Sequence, residues 1–265
     1  EQVLDLVATH PSTARHLATK LARRFVSDQP PQMLIDRLAA TWLDTDGDLR
    51  AVLVALVEAP AFWSTEARQA KIKSPFELTV SALRATGARI DDPRALLEWI
   101  SRMGQPLYAY QAPTGYPDRA DHWVNTGALL ERMNFGLQLA SGRVAGVRLD
   151  LPALIGGREP ESLDDALTAY LTVLLPERDS STTLARLEPM VRDPELAKKI
   201  AAAAPESEAR DPLEELDDWD GGMVPGMPRG PRRGRDRPSP PLHIDDSPVA
   251  HVVGVILGSP EFQRR

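Results

Sequence analysis

The chain has no cysteine, which excludes a disulfide framework, a cysteine zinc site and thiol catalysis. It also lacks a basic excess: 31 Lys and Arg stand against 38 Asp and Glu, a formal charge of -7 with a pI near 5.3. A nucleic-acid binder needs a basic surface to displace counterions from phosphate, so that partner class is set aside. The longest unbroken apolar run, residues 51–57, is far short of the ~20 residues that cross a bilayer, so no membrane span is expected. No charged stretch followed by an apolar one opens the sequence, so no signal peptide is visible. Instead Glu1 leads straight into the apolar-periodic Val3, Leu4, Leu6 and Val7, and we expect a fragment of something longer. Catalytic signatures are missing too. There is no Gly-x-Ser-x-Gly elbow, His-Glu-x-x-His pair, phosphate-binding P-loop or dinucleotide fingerprint. The histidines, His10, His16, His122, His243 and His251, never fall at metal-ligand spacing, so neither a metal nor a cofactor is expected.

What is there is ordinary globular material: 265 residues, 42% hydrophobic and 26% charged, enough for one large domain or two small ones. Helix starts are frequent. Ser74-Pro75-Phe76-Glu77 places a capping hydroxyl, a proline at the first helical position and a reciprocating glutamate. Similar starts recur at Asp92-Pro93, Asp193-Pro194, Asp211-Pro212, Ser247-Pro248 and Ser259-Pro260, and Ser162 with Asp165 forms another. Apolar spacing between them is helical. Leu17, Leu21 and Phe25 form one expected buried stripe; Leu49, Val52, Leu53, Leu56 and Val57 form a second, and Phe76, Val80 and Leu83 a third. Leu96, Leu97, Ile100 and Met103, then Leu130, Met133 and Leu137, and finally Leu163, Ala166, Leu167, Tyr170 and Leu174 continue the pattern. Gly87 suits a left-handed C-cap. Only Val147, Leu149 and Leu151 alternate with a period of two.

These patterns predict an all-α fold, an irregular multi-helix bundle with a long aromatic loop and at most one short strand pair. Residues 1–204 are expected to form a helical domain. Residues 205–246, acidic in their first half and rich in Arg, Gly and Pro in their second, bury too little apolar surface to offset ordering and are expected to be a disordered charged loop. Residues 247–265 return to strong apolarity and are expected to dock on the body as a last helix.

Residues 104–126 hold the candidate site. Three of the four tyrosines and a tryptophan crowd a connection longer than most in a small domain. Read as a cleft, it offers Gln105, Tyr108, Tyr110, Tyr116, Trp123 and Asn125 as binding groups, and His122 beside Asp121 or Asp118 as the one candidate base. Read as architecture, its aromatics pin the loop while Asn125 or Thr126 caps the next helix. Two smaller features have simple readings. Asp44-Thr45-Asp46-Gly47-Asp48 resembles a calcium loop, but Ala55 stands where the bidentate carboxylate belongs, so a turn with Asp46 or Asp48 as a cap is expected. Arg15, Lys20, Arg23 and Arg24 read as snorkelling surface charge.

The aromatic loop resembles the bacterial domain-of-unknown-function 1800 family. Gly104-Gln105-Pro106-Leu107-Tyr108 matches its Gly-x-Pro-Leu-aromatic stretch, and Gly115-Tyr116-Pro117 matches its Gly-Trp-Pro turn with Tyr for Trp. Trp123-Val124-Asn125-Thr126 matches its Trp-x-Asn-Thr helix start. Lys20 to Val26, Lys73 to Leu78 and Gly258 to Phe262 follow the family as well. The resemblance implies the C-terminal half of a longer helical bacterial protein, exported to the periplasm or the exterior. Its implied partners are the missing N-terminal half and a sulfatase-like hydrolase. The family supplies no catalytic residues to carry over. The expected function is a helical accessory or interaction module; the alternative is a hydrolase-like or carbohydrate-associated enzyme with its site in the 104–126 loop.

Overall fold

The computed structural model describes residues 1–176, 180–193, 195–196, 198–199 and 244–265. The charged loop expected at 205–246 therefore lies outside the described residues except at 244–246, as do Pro194 and the Asp211-Pro212 start. The chain is mostly helical, and the described residues contain one two-stranded antiparallel sheet. They fall into two compact units. One holds Glu1–Lys73, Tyr116–Trp123 and Arg264–Arg265; the other holds Ser74–Gly115 and Val124–Gln263.

The first unit is built on α1 (Gln2–Ala8), α2 (Pro11–Phe25), α3 (Gln32–Asp44) and α4 (Leu49–Val57). His10 starts α2, its Nδ1 accepting the N–H of Ser12 at 3.1 Å. The buried face of α2 is not the large apolar stripe expected from spacing. It is Ala14, Ala18 and Ala22, with Leu17 and Leu21 flanking them and Phe25 49% exposed. Small side chains let two helix axes approach closely, and Leu34, Ile35, Leu38 and Trp42 of α3 belong to the same core. The stripe on α4 is likewise corrected. Val52, Ala55 and Leu56 are buried, while Leu49, Leu53 and Val57 are exposed. The Asp44–Asp48 segment is a turn. Asp46 and Gly47 take positive φ, and Asp48 caps α4 by accepting from Arg50 and Ala51. A Cβ on Gly47 would lie 3.1 Å from the Trp42 ring, a tight contact, and the φ of +83 favours glycine there. Residues 71–72 pair antiparallel with 264–265 through Lys71 and Arg265 backbone bonds.

The second unit contains α5 (Pro75–Ala85), β1 (Arg89–Ile90), α6 (Arg94–Arg102), α8 (Thr126–Ala140), β2 (Val147–Arg148), α9 (Leu151–Leu154), α10 (Leu163–Leu174), α11 (Ser180–Val191) and α12 (Pro248–Gly258). The four-residue α7 (Ala120–Trp123) belongs to the first. Three caps form where the sequence places them, whereas at 92–93 the N-cap is Pro93 itself and Asp92 accepts the Arg94 N–H from outside the helix. Ser74 and Glu77 make a full capping box, Ser162 accepts from Asp165, and Ser247 accepts from Ala250. Gly87 follows α5 with φ +58. Ser259-Pro260 opens only a hydrogen-bonded turn, in which Ser259 receives Phe262 and Gln263. On α5 the buried side chains are Pro75, Leu78, Thr79, Ala82 and Leu83, whereas Phe76 is 44% exposed.

The core of this unit is the packing of α12 on α8, which brings backbones together at glycines. A Cβ on Gly136 would meet Gly254 O and Gly258 N at 2.8 Å, and one on Gly254 would meet Leu137 Cα at 2.8 Å. Around this crossing α12 is buried from Val252 to Gly258. The α8 face also buries charge. Glu131 pairs with Arg102 at 3.0 Å, and Arg102 stacks over Trp99 at 4.2 Å. Arg132 is fully buried against Gln263 Oε1 at 3.4 Å, and burial lowers its pKa to about 10. The strand pair sets Arg89 opposite Arg148, and Asp91 bridges the two.

Candidate functional site

The residues expected to form one cleft divide between the two units. Gln105, Tyr108, Tyr110 and Asn125 lie in the second; Tyr116, Asp118, Asp121, His122 and Trp123 lie in the first.

In the second unit the polar candidates serve backbone groups. Gln105 Oε1 accepts the N–H of Phe76 at 2.8 Å, in the first turn of α5. Asn125 accepts the N–H of Ala128 at 2.9 Å and caps α8. Residues 103–115 carry no charged side chain. Met103 anchors the start of this stretch in the core, whereas Tyr108 is fully exposed with φ +63.

In the first unit, residues 116–123 are fixed by an ionic cluster around a buried lysine that sequence spacing does not reveal. Lys71 is 4% exposed. Its Nζ donates to Asp28 Oδ1 at 2.5 Å and to the Asp118 carbonyl at 2.8 Å, and lies 3.4 Å from Asp118 Oδ1. The other Asp28 oxygen accepts the Ala120 N–H at 2.6 Å, where α7 begins. Arg24 and Arg265 approach Asp118 Oδ1 at 3.3 and 3.6 Å. Burial pushes the Asp28 pKa up. The Lys71 and Ala120 hydrogen bonds and the charges of Lys71 and Arg119 outweigh it, so the carboxyl sits below its ordinary value. Four segments far apart in sequence thus contribute to one cluster, and of its members only Arg24 and Asp118 stand out in the sequence.

The aromatic members of the same segment are brought together. His122 meets Trp123 edge-on at 4.5 Å and lies 6.1 Å from Tyr116, which is 5.6 Å from Trp123. Trp123 is buried and His122 exposed. Asp121 pairs with Arg119 at 2.6 Å. No group of three His, Asp or Glu side chains able to hold a metal occurs among the described residues. No helix among them is long and apolar enough to cross a membrane.

A sequence model of the family described as Protein of unknown function (DUF1800) matches residues 1–264. No curated protein and no solved structure matches the chain.

Proposed function

Because the chain belongs to the family described as Protein of unknown function (DUF1800), which carries no stated activity, we propose from its residues that it is a helical interaction module and not a catalyst. One observation carries this reading: the polar groups of the aromatic loop are committed to holding the fold. Gln105 and Asn125 each accept a backbone N–H at a helix start. Asp118 faces Lys71, Arg24 and Arg265, and Asp121 faces Arg119. These are the two carboxylates that the sequence sets beside His122. A general base in this loop would draw on those carboxylates, and both are engaged by cations that hold the segment in place. The family resemblance extends the proposal. The module would belong to a larger exported bacterial protein, working with an N-terminal half and a sulfatase-like hydrolase, outside the cytoplasm and without nucleic acid.

The test is a turnover screen of the purified full chain against aryl esters, glycosides, sulfate esters and peptides, alongside His122→Ala. No turnover is expected, together with co-sedimentation of the chain with the purified sulfatase-like hydrolase. Turnover that His122→Ala removes while helical circular dichroism is unchanged overturns the proposal and establishes the enzymatic alternative.

A further inference from the structure

We propose that residues 103–115 form a binding face for a neutral oligosaccharide, with the Tyr108 ring as the platform on which one pyranose stacks. This rests on the interaction reading above and names the ligand class of that module.

The first observation is a local rule broken at an exposed place. The N–H of Ala109 donates to the Pro106 carbonyl at 3.3 Å, closing a four-residue turn. Tyr108 is its third residue, with φ +63. A turn with positive φ at that position favours Gly or Asn, because a side chain on Cβ crowds the backbone. A bulky residue held there needs a reason, and burial does not supply one: Tyr108 is 100% exposed. Strain kept where no internal packing rewards it points to a contact outside the chain.

The second observation is rigidity. The loop is tied at its base, where Gly104 N–H donates to Ser101 O at 2.8 Å, Gln105 N–H donates to Ile100 O at 3.0 Å, and the Gln105 side chain holds Phe76. A second turn closes from Gly115 to Ala112 at 3.2 Å, and Pro106 and Pro113 restrict the backbone between. A face already ordered loses little entropy on binding.

The third observation decides the ligand. Residues 103–115 contain no Asp, Glu, Lys or Arg in a chain that is 26% charged. The preceding Arg102 is occupied by Glu131 and Trp99. An anionic polymer would find no cation on this stretch. Besides Tyr108, the exposed residues of the stretch are Gly104, Ala109, Gln111, Ala112, Pro113, Thr114 and Gly115, all small or neutral. Tyr108 is the one exposed large apolar side chain in the stretch, whereas a stable protein interface clusters several such anchors over ~800 Å² a side. The stretch suits a sugar ring, whose axial C–H bonds meet the electron-rich aromatic face while its hydroxyls meet amide and hydroxyl neighbours.

The full chain is titrated calorimetrically with cellohexaose, chitohexaose and β-1,4-mannohexaose, with hexagalacturonate as the charged counterpart. At least one neutral hexasaccharide should bind, with an affinity insensitive to added salt. Tyr108→Ala should weaken it about tenfold, the loss of roughly one aromatic contact, while Tyr108→Phe keeps it. Tyr108→Gly should lose binding too, yet melt at or above the wild-type temperature because it relieves the turn. That separation is foreign to a purely structural role. Silence toward all three neutral sugars, equal binding by Tyr108→Ala, or binding of hexagalacturonate alone overturns the assignment. So does a protein partner that needs Tyr108 while the sugars stay silent. Hydrolysis of a bound sugar would instead sink the module reading and leave the stacking face in place, so the two failures are distinct.

Discussion

Lys71→Met removes the ammonium at the centre of the first unit's ionic cluster and keeps an apolar stem of similar length. Three acceptors lose their cation: Asp28 Oδ1 at 2.5 Å, the Asp118 carbonyl at 2.8 Å and Asp118 Oδ1 at 3.4 Å. Removing one partner of a fully buried pair costs ~3–5 kcal/mol, most of it for stranding the other charge. Asp28 is not fully stranded, because its side chain is 25% exposed and its other oxygen keeps the Ala120 N–H. Those facts place the loss at about 2–3 kcal/mol. Urea denaturation followed by tryptophan fluorescence measures it, and hydrogen exchange at Ala120 reports whether α7 loosens. Asp28→Asn should cost a similar amount, since the amide offers a donor where the carboxylate accepts. A double-mutant cycle with Lys71→Met should then show coupling of about 1–3 kcal/mol. A loss under about 0.5 kcal/mol for Lys71→Met, with additive effects in the cycle, would refute the cluster as a structural clamp.

The same cluster predicts a pH dependence with a definite sign. The Asp28 carboxyl lies below its ordinary value in the folded chain, so the folded state favours the ionised form. Its contribution is complete above the unfolded value near ~4 and disappears as pH falls through the lower folded one. The stability gap between wild type and Asp28→Asn should therefore be constant at neutral pH and narrow in acid. A gap unchanged down to about pH 2 would contradict it.

Gly254→Ala should destabilise by about 3 kcal/mol, the upper end of overpacking, because the new methyl meets Leu137 Cα at 2.8 Å and backbone cannot rotate aside; thermal melting checks it. Leu56→Ala should cost about 2–5 kcal/mol and Leu53→Ala within about 0.5, since Leu56 is 1% and Leu53 40% exposed. Equal losses in urea would show that α4 buries a different face. Asn125→Ala should cost about 1 kcal/mol for the lost cap, with no change in any ligand affinity measured by calorimetry.

Local features of the fold could be read from the sequence because their physics is local. A cap needs one side chain within three residues of the N–H it satisfies, so Ser74, Asn125, Ser162 and Ser247 announce themselves. The all-α class follows from spacing in the same way, and one strand of the pair among the described residues lies where Val147 begins the alternation. Burial was harder. Hydrophobic size picks out Leu17, Leu21 and Phe25 on α2, yet the face that packs is Ala14, Ala18 and Ala22, because close approach rewards small residues. Gly136, Gly254 and Gly258 make the same point where α12 meets α8: an absent side chain leaves no hydrophobic signal. The ionic cluster is the extreme case. Asp28, Lys71, Asp118 and Arg265 are scattered along the chain, and no periodicity connects them before folding does.

Positive φ separates the parts of the sequence that answer to the fold from the part that does not. At 46–47 the chain uses Asp and Gly, residues that tolerate the left-handed region, and the turn delivers Asp48 to cap α4. At Gln69 the residue is unsuited, but its carbonyl receives Arg264 at 3.5 Å beside the 71–265 pairing, so the conformation is held by neighbours. Tyr108 has neither a permissive side chain nor a packed one. A fold-level rule fails there without an internal compensation, and the ring it displays stands in the one uncharged stretch between Arg102 and Asp118. If stability alone shaped that turn, glycine at 108 would serve it better, and the difference between those two residues is what a ligand has to explain.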